Sequence, residues 1–161
     1  MGFLKEIIED VTGMSIRPEI KGNRFEKFVS DEIFIDKLYD LVEMTRDFTS
    51  NSDRFEERSM SPDFLFRDKR TGEEFWIEAK YRKGCFKNNK GQVVCEICRR
   101  DQLDRYREKE EISGKKVYIC LGLGKDPLHP ETVHLIPVMD AYPQLFPSRL
   151  NETLIWENTK L

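Results

Sequence analysis

Two short segments joined by a four-residue turn are the feature of this sequence that most restricts its fold. Residues 63–68 (DFLFRD) and residues 73–81 (EEFWIEAKY) largely alternate between side chains of different character. A period of two is typical of β-strands, and the intervening residues 69–72, which end in glycine, are typical of a hairpin loop. The chain is therefore predicted to contain a β-hairpin over residues 63–81.

The same alternation divides the side chains of this hairpin between two faces. One face is apolar and is expected to lie on the core; it carries Phe64, Phe66, Phe75, Ile77, Ala79 and Tyr81. The opposite face carries Asp63, Leu65, Arg67, Glu74, Trp76, Glu78 and Lys80. If the loop is centred between Arg70 and Thr71, Asp63 lies opposite Glu78. Directly opposed residues have Cβ atoms roughly 4.5–5.5 Å apart.

Two carboxylates placed opposite each other, with a lysine beside them, suit phosphodiester hydrolysis. Asp63 and Glu78 would repel each other unless a cation lay between them, and Mg²⁺ prefers such oxygen ligands. A metal of this kind activates water, and Lys80, on the same face, could orient that water or stabilise the developing charge. Two simpler explanations stay open: an ordinary hairpin with charged residues on its wet face, or a register slipped by one residue.

The remaining pattern is that of a single α/β domain covering residues 1–161. Helices are predicted at 4–13, from Gly22 to Ile33, and from about Glu96 to Glu111 with Ser113-Gly114 as its end. Strands are predicted at 116–122 and 133–138, a second hairpin at 88–91, and a short helix with a packing segment after Pro147. Residues 38–48 fit a helix or a strand, and residues 49–60 are predicted to form a loop.

Composition and charge limit the classes of function. The net charge of −3 does not suggest a uniformly basic protein, but residues 80–116 contain 12 basic residues against 6 acidic ones. A local surface for nucleic acid is compatible with this distribution. No apolar stretch is long enough to span a membrane, and the first residues lack the apolar run of a signal peptide, so no membrane partner and a cytoplasmic location are expected.

A cytoplasmic location predicts that the four cysteines are reduced. Cys95-x-x-Cys98 has half of a zinc-binding spacing, and the sequence has no second CxxC to complete it. Cys85 could join them, because the second hairpin would bring it near Cys95, but no fourth ligand is evident. Ordinary reduced cysteines are therefore favoured over a metal site, and His129 and His134 are assigned no chemistry.

Ser61-Pro62-Asp63, followed fifteen positions later by Glu78-Ala79-Lys80, resembles the signature of PD-(D/E)xK nucleases. The layout is similar to that of archaeal Holliday-junction resolvases and Mrr-like restriction enzymes. Two flanking elements extend the resemblance: Glu26 lies in the helix predicted before the hairpin, and Gln102, followed by Tyr106, lies in the helix predicted after it. The resemblance runs from about Gly22 to Tyr106.

The resemblance implies a restriction-endonuclease-like fold, which is α/β with a mixed central β-sheet flanked by helices. It implies that Asp63 and Glu78 are metal ligands and that Glu26 is an auxiliary metal ligand. Lys80 would be the catalytic base or charge stabiliser, and Gln102 would position the substrate or the lysine. The implied cofactor is Mg²⁺, for which Mn²⁺ can substitute.

The expected function is that of a metal-dependent endonuclease acting on DNA, or less readily on RNA. A homodimer is expected because a lone catalytic domain needs two copies to cut two strands. Two alternatives remain: a non-catalytic nucleic-acid-binding module with the nuclease fold, and a plain interaction domain with an amphipathic hairpin. Phosphate contacts are expected from basic residues around the site, namely Arg82, Lys83, Lys87, Lys90, Arg99, Arg100, Arg105 and Arg107.

Overall fold

The structure is a computed structural model that describes residues 24–45 and 61–159. The predicted first helix at residues 4–13 and the predicted loop at residues 49–60 lie outside the described residues. No helix in the described ranges is long and apolar enough to cross a membrane.

The described chain contains both helices and strands. It begins with α1 (Arg24–Phe28), which continues into a π-helical turn (Val29–Ile33). The strands are β1 (Tyr39–Met44), β2 (Phe64–Asp68), β3 (Glu74–Arg82), β4 (Phe86–Lys87), β5 (Val93–Glu96), β6 (Lys116–Leu123), β7 (Thr132–Pro137), β8 (Gln144–Leu145) and β9 (Leu154–Glu157). The other helices are α2 (Arg100–Ser113), a 3-10 turn (Val138–Asp140) and α3 (Pro147–Asn151).

Six strands form a mixed central sheet in the order β1-β2-β3-β6-β7-β9. Strands β1, β2 and β3 are antiparallel neighbours, whereas β6 lies parallel to β3. A parallel pair needs a crossover, and α2 lies between β3 and β6 in the chain. The predicted α/β sheet with a crossover helix is therefore confirmed. Of the ambiguous segment 38–48, the described part up to residue 45 contains a strand, β1, rather than a helix.

The β2–β3 hairpin has the predicted register. Phe64 pairs with Ile77 and Leu65 with Trp76, and continuing this pairing by one residue sets Asp63 opposite Glu78. The loop is closed by a 2.9 Å hydrogen bond from the backbone amide of Asp68 to the carbonyl of Glu73. Gly72 adopts a φ of 76°, which glycine tolerates at little cost.

The simpler explanation of an ordinary hairpin with a wet face does not hold, because both faces are covered over residues 62–66 and 76–79. Phe64 and Ile77 pack in a cluster with Phe25 of α1, on the side expected to be the core. Leu65 and Trp76, on the other face, are each only 4% exposed because they pack in a second cluster beneath α2. Alternation within a strand cannot show that a distant helix will cover its polar face.

A second sheet has three strands: β4 and β5, which lie between β3 and α2 in the chain, and β8, which follows β7. The β4–β5 pair confirms the second predicted hairpin. The side chain of Asn88 accepts hydrogen bonds from the backbone amides of Lys90 and Gln92, which closes its turn. Because Glu96 belongs to this sheet, α2 begins at Arg100 rather than near Glu96 as predicted. Its end is as predicted, with Gly114 in the left-handed conformation at a φ of 69°.

The expectation that all four cysteines are reduced was wrong for one pair, since Cys85 and Cys95 form a disulfide. Phe86 pairs with Val94 across β4 and β5, and this register brings the two cysteines face to face. Cys98 and Cys120 are free and buried. The hairpin did bring Cys85 to Cys95 as expected from the sequence, and the two sulfurs bond to each other.

Gly122 of β6 allows α1 to pack closely on the sheet. A Cβ added to Gly122 would lie 2.6 Å from Cζ of Phe25, a ring that is fully buried. We expect Gly122→Ala to lower the free energy of unfolding by about 1–3 kcal/mol, because overpacking forces the ring out of place. Urea unfolding would measure this. Gly84→Ala is the matched control, since nothing lies within 4 Å of its added Cβ. Equal effects of the two substitutions would contradict the interpretation.

His134 of β7 forms a hydrogen bond with α3, and its titration should lower the stability of the fold in acid. Burial holds its pKa below the ordinary value of 6.5, although the hydrogen bond of its Nδ1 to the Leu150 carbonyl opposes this effect. As the pH falls below 6.5, the unfolded chain therefore takes up a proton before the folded one does. The free energy of unfolding then decreases with falling pH, by at most about 1.4 kcal/mol per pH unit for this one group.

The test compares urea unfolding of the wild type and His134→Gln at about pH 7.5 and about pH 5.5. The variant is expected to lose less stability than the wild type on acidification, because glutamine does not titrate. An identical pH dependence in both proteins would exclude this role for His134.

Candidate active site

Asp63 is held at the start of the hairpin by two backbone contacts. Its carbonyl accepts a hydrogen bond from the amide of Thr45, just beyond β1, and its carboxylate Oδ2 accepts one from the amide of Ala79 in β3, both at 2.9 Å. The residue is 8% exposed. The carboxylate is therefore bound to the backbone of β3 directly beside Glu78.

Glu78 and Lys80 lie on the face of β3 that α2 covers. Glu78 is 7% exposed, and its Oε2 lies 3.3 Å from Nζ of Lys80. Nζ of Lys80 also donates to Oε1 of Gln102 in α2, again at 3.3 Å. The structure thus brings together the predicted Asp63, Glu78, Lys80 and Gln102. This contact also gives the side-chain amide of Gln102, on the inward side of α2, a hydrogen-bond partner in Lys80.

Tyr106 is a further member of this group, to which the sequence assigned no role of its own. It lies one helical turn after Gln102 and is 2% exposed. Burial raises the pKa of its hydroxyl, and the charge of Glu78, a hydrogen bond to Glu78 and the charge of Asp63 raise it further. Tyr106 therefore stays protonated and donates to the carboxylate of Glu78. The spacing of four residues from Gln102 was the available signal, because such pairs share a helix face.

Glu26, the predicted auxiliary ligand, is buried in α1 at 1% exposure. Across residues 24–45 and 61–159, no three His, Cys, Asp or Glu side chains are grouped so that they could hold a metal ion. Glu26 is therefore not gathered with Asp63 and Glu78 into one such group, and its role as a ligand stays a prediction.

The oxygen atoms of Asp63 and Glu78 nevertheless fit a hard divalent cation. Proteins commonly hold Mg²⁺ through one or two carboxylates, and water and phosphate oxygens complete its coordination. Both carboxylates are nearly buried at neighbouring positions, and the ammonium group of Lys80 lies 3.3 Å from the carboxylate of Glu78. The donor chemistry is that of Mg²⁺ or Mn²⁺ rather than of a metal that prefers sulfur ligands.

The basic residues around the site separate into two groups. Arg99 and Arg105 form ion pairs with Asp101, and Arg82 and Arg107 donate to backbone carbonyls. Among the predicted phosphate contacts, four cations have neither an ion pair nor a side-chain hydrogen bond to any described residue, namely Lys83, Lys87, Lys90 and Arg100. The structure therefore narrows the candidates for phosphate binding to these four.

Among solved structures, the chain is similar to Hjc of Archaeoglobus fulgidus, a Holliday junction resolvase from an archaeal hyperthermophile. The TM-score is 0.53 at 17% sequence identity, and the likeness covers 83% of this chain and 94% of the other. The likeness is one of fold. The predicted resemblance to archaeal resolvases and the predicted restriction-endonuclease-like architecture are thereby confirmed. No protein-family model and no curated protein sequence matches the chain.

The contact between Tyr106 and Glu78 should contribute measurably to stability. We expect Tyr106→Phe to lower the free energy of unfolding by about 1 kcal/mol, because a buried carboxylate loses a donor while the ring is retained. Tyr118→Phe is the control, since the Tyr118 hydroxyl has no hydrogen bond to any described residue. Urea unfolding measures both. If the two variants lose the same stability, the hydrogen bond does not contribute.

Proposed function

We propose that this chain is a metal-dependent endonuclease that hydrolyses phosphodiester bonds in DNA. The observation that supports this most directly is the burial of Asp63 and Glu78, with the partly buried Lys80 beside Glu78 beneath α2. Removing charged groups from water costs several kcal/mol per ion, and a single lysine offsets two carboxylates only in part. A divalent cation would supply the missing positive charge. The fold, which is similar to that of a Holliday junction resolvase, is a second support for the proposal.

In this proposal Asp63 and Glu78 would hold Mg²⁺, for which Mn²⁺ can substitute. Glu26, which is not grouped with them in the described residues, would be an auxiliary ligand only if α1 moved towards them. When bound, the metal neutralises the charge of the phosphate and lowers the pKa of a coordinated water. The protein's own groups then set the geometry. The amide of Ala79 fixes the carboxylate of Asp63, and the hydroxyl of Tyr106 fixes that of Glu78.

Lys80 acts on the reacting atoms in this mechanism. Its Nζ donates to the attacking water, or to the phosphate oxygen on which negative charge develops. Gln102 accepts a hydrogen bond from the same Nζ and so holds the ammonium group at one position. α2 also covers this face and limits the access of bulk water, which strengthens each electrostatic contact.

The proposed substrate is DNA because the structural neighbour is described as a Holliday junction resolvase. Branched DNA belongs among the first substrates to be tested. A homodimer is part of the proposal, since cutting two strands needs two sites. A cytoplasmic location also stays a prediction; disulfides are rare in that compartment, so the Cys85–Cys95 bond would have to resist reduction there.

The decisive experiment measures cleavage of labelled duplex, single-stranded and branched DNA, and of RNA, with Mg²⁺, with Mn²⁺ or with chelator. Asp63→Asn, Glu78→Gln and Lys80→Met are each expected to lower the cleavage rate by about 10²–10³-fold, because each removes one charge from the site. Lys37→Met is the matched control, since Lys37 is exposed and lies outside the site. Chelator should abolish all cutting.

The outcomes separate the candidate functions. Cutting that needs metal and fails in the three site variants, but not in Lys37→Met, supports the endonuclease. Binding without cutting under every condition would replace it with the nucleic-acid-binding module. If the chain neither binds nor cuts nucleic acid, the endonuclease and the binding module are both overturned, and an interaction domain is favoured.

A further inference from the structure

The small sheet of β4, β5 and β8 carries an apolar row that the proposed nuclease site does not use. Cys95 and Leu145 pair across β5 and β8, and both belong to the core cluster beneath α2. Because side chains alternate along a strand, Val94 points to the opposite face, where Phe86 is its partner in β4. Continuing the β5–β8 pairing by one residue places Phe146 on the other side of Val94. These three residues, Phe86, Val94 and Phe146, are called the outer row.

The two phenylalanine rings of the outer row are half open to solvent. Phe86 is 42% exposed and Phe146 is 48% exposed, whereas Val94 between them is 4% exposed. Val94 belongs to neither of the two core clusters. Exposed apolar groups that share one face of a sheet are typical of a surface that binds a partner.

The charge around the outer row indicates what kind of partner fits. Residues 83–95 contain three lysines, Lys83, Lys87 and Lys90, and no Asp or Glu. All three are exposed, and none forms an ion pair with a described residue. Free positive charge beside flat apolar rings is the combination by which proteins bind single-stranded nucleic acid, with lysines on phosphates and rings on bases.

The row also has a fixed position relative to the proposed site. Phe86 follows Lys80 by six residues, which limits their separation to about 20 Å even for an extended chain. The Cys85–Cys95 disulfide joins the two strands beside Phe86, and Arg82 donates to the carbonyl of Ile97 at 3.1 Å, which joins the ends of the hairpin segment. A strand bound here would therefore pass within a few nucleotides of Lys80.

We propose that the outer row, with Lys83 and Lys90, binds a DNA strand with unpaired bases, with each phenylalanine ring stacking on a base. Lys87 follows Phe86 in β4 and points to the opposite face of that strand. The proposal rests on the proposed nuclease function and names its substrate class, which is DNA with a single-stranded segment next to the cut. Bases in a duplex are already stacked on each other, and only an unpaired base can offer its face to a protein ring. The row therefore distinguishes unpaired from paired DNA, whereas the lysines do not.

The test measures binding of the full chain, by fluorescence anisotropy without divalent metal, to two labelled probes. One is a thymidine oligonucleotide of about 16 nucleotides, and the other is a duplex of about the same length. Phe86→Ala and Phe146→Ala are each expected to weaken binding of the single strand by about 5- to 100-fold and binding of the duplex by less than about 2-fold. Ile112→Ala, which removes an exposed apolar side chain from α2, is the control and should change neither.

Two further variants separate stacking from a general apolar or protein contact. Phe86→Tyr keeps the ring and is expected to retain binding of the single strand, whereas Phe86→Leu keeps apolar area without a ring and is expected to lose it. Lys90→Ala, in the turn of the same hairpin, should weaken binding of both probes alike. It should also reduce the slope of log K against log salt concentration by roughly 0.7–0.9, as expected for one lost phosphate contact.

Some results would overturn the proposal. One is a loss of single-strand affinity of less than about 2-fold in both alanine variants, and another is an equal loss of affinity for the two probes. A third is full binding of the single strand by Phe86→Leu, which would favour a protein-docking face. Because no metal is present, the result is independent of cleavage. A chain that cuts DNA while its phenylalanine variants bind normally refutes this inference alone. A chain that binds through the row but never cuts refutes only the nuclease.

Discussion

The packing of α2 on the face of β3 that carries Glu78 and Lys80 is the contact on which the site depends. Leu103 and Tyr106 of α2 are buried in the same core cluster as Trp76, and fully burying a leucine side chain contributes about 1.5–3 kcal/mol. The same contact removes the charged side chains of β3 from water, so each must find a partner beneath the helix. Gln102 and Tyr106 are those partners. The helix that completes the core therefore also shapes the chemistry beneath it.

Burying the charged residues of the site lowers the stability of the fold. Asp63 and Glu78 lie at opposed positions, and the nearby Lys80 carries only one positive charge. An apolar hairpin of the same shape would avoid the cost of burying these charges. The protein keeps them in place with hydrogen bonds, from the amide of Ala79 to Asp63 and from the hydroxyl of Tyr106 to Glu78. A bound cation would relieve the repulsion that remains, and cation binding and folding would then be coupled.

The small sheet gives the connection between β3 and α2 a second role. A crossover needs only to return the chain across the sheet, but residues 83–96 form a hairpin whose strands a disulfide joins and whose outer face is apolar. One face of this hairpin, through Cys95, completes the core under α2, and the other face is left to solvent. Core packing thereby determines which way Phe86 and Phe146 point.

Local patterns in the sequence determined the β2–β3 hairpin, its register and the end of α2, because alternation, a glycine turn and a helix cap act between near neighbours. They placed Asp63 opposite Glu78 and predicted the Cys85–Cys95 approach. Only the tertiary structure decided that the face with Glu78 and Lys80 is buried, that the cysteines bond, and which arginines are already paired. These outcomes depend on contacts between residues far apart in the chain, such as Lys80 with Gln102 at a separation of 22 residues. No pattern within a single strand or helix can encode which distant surface will cover it.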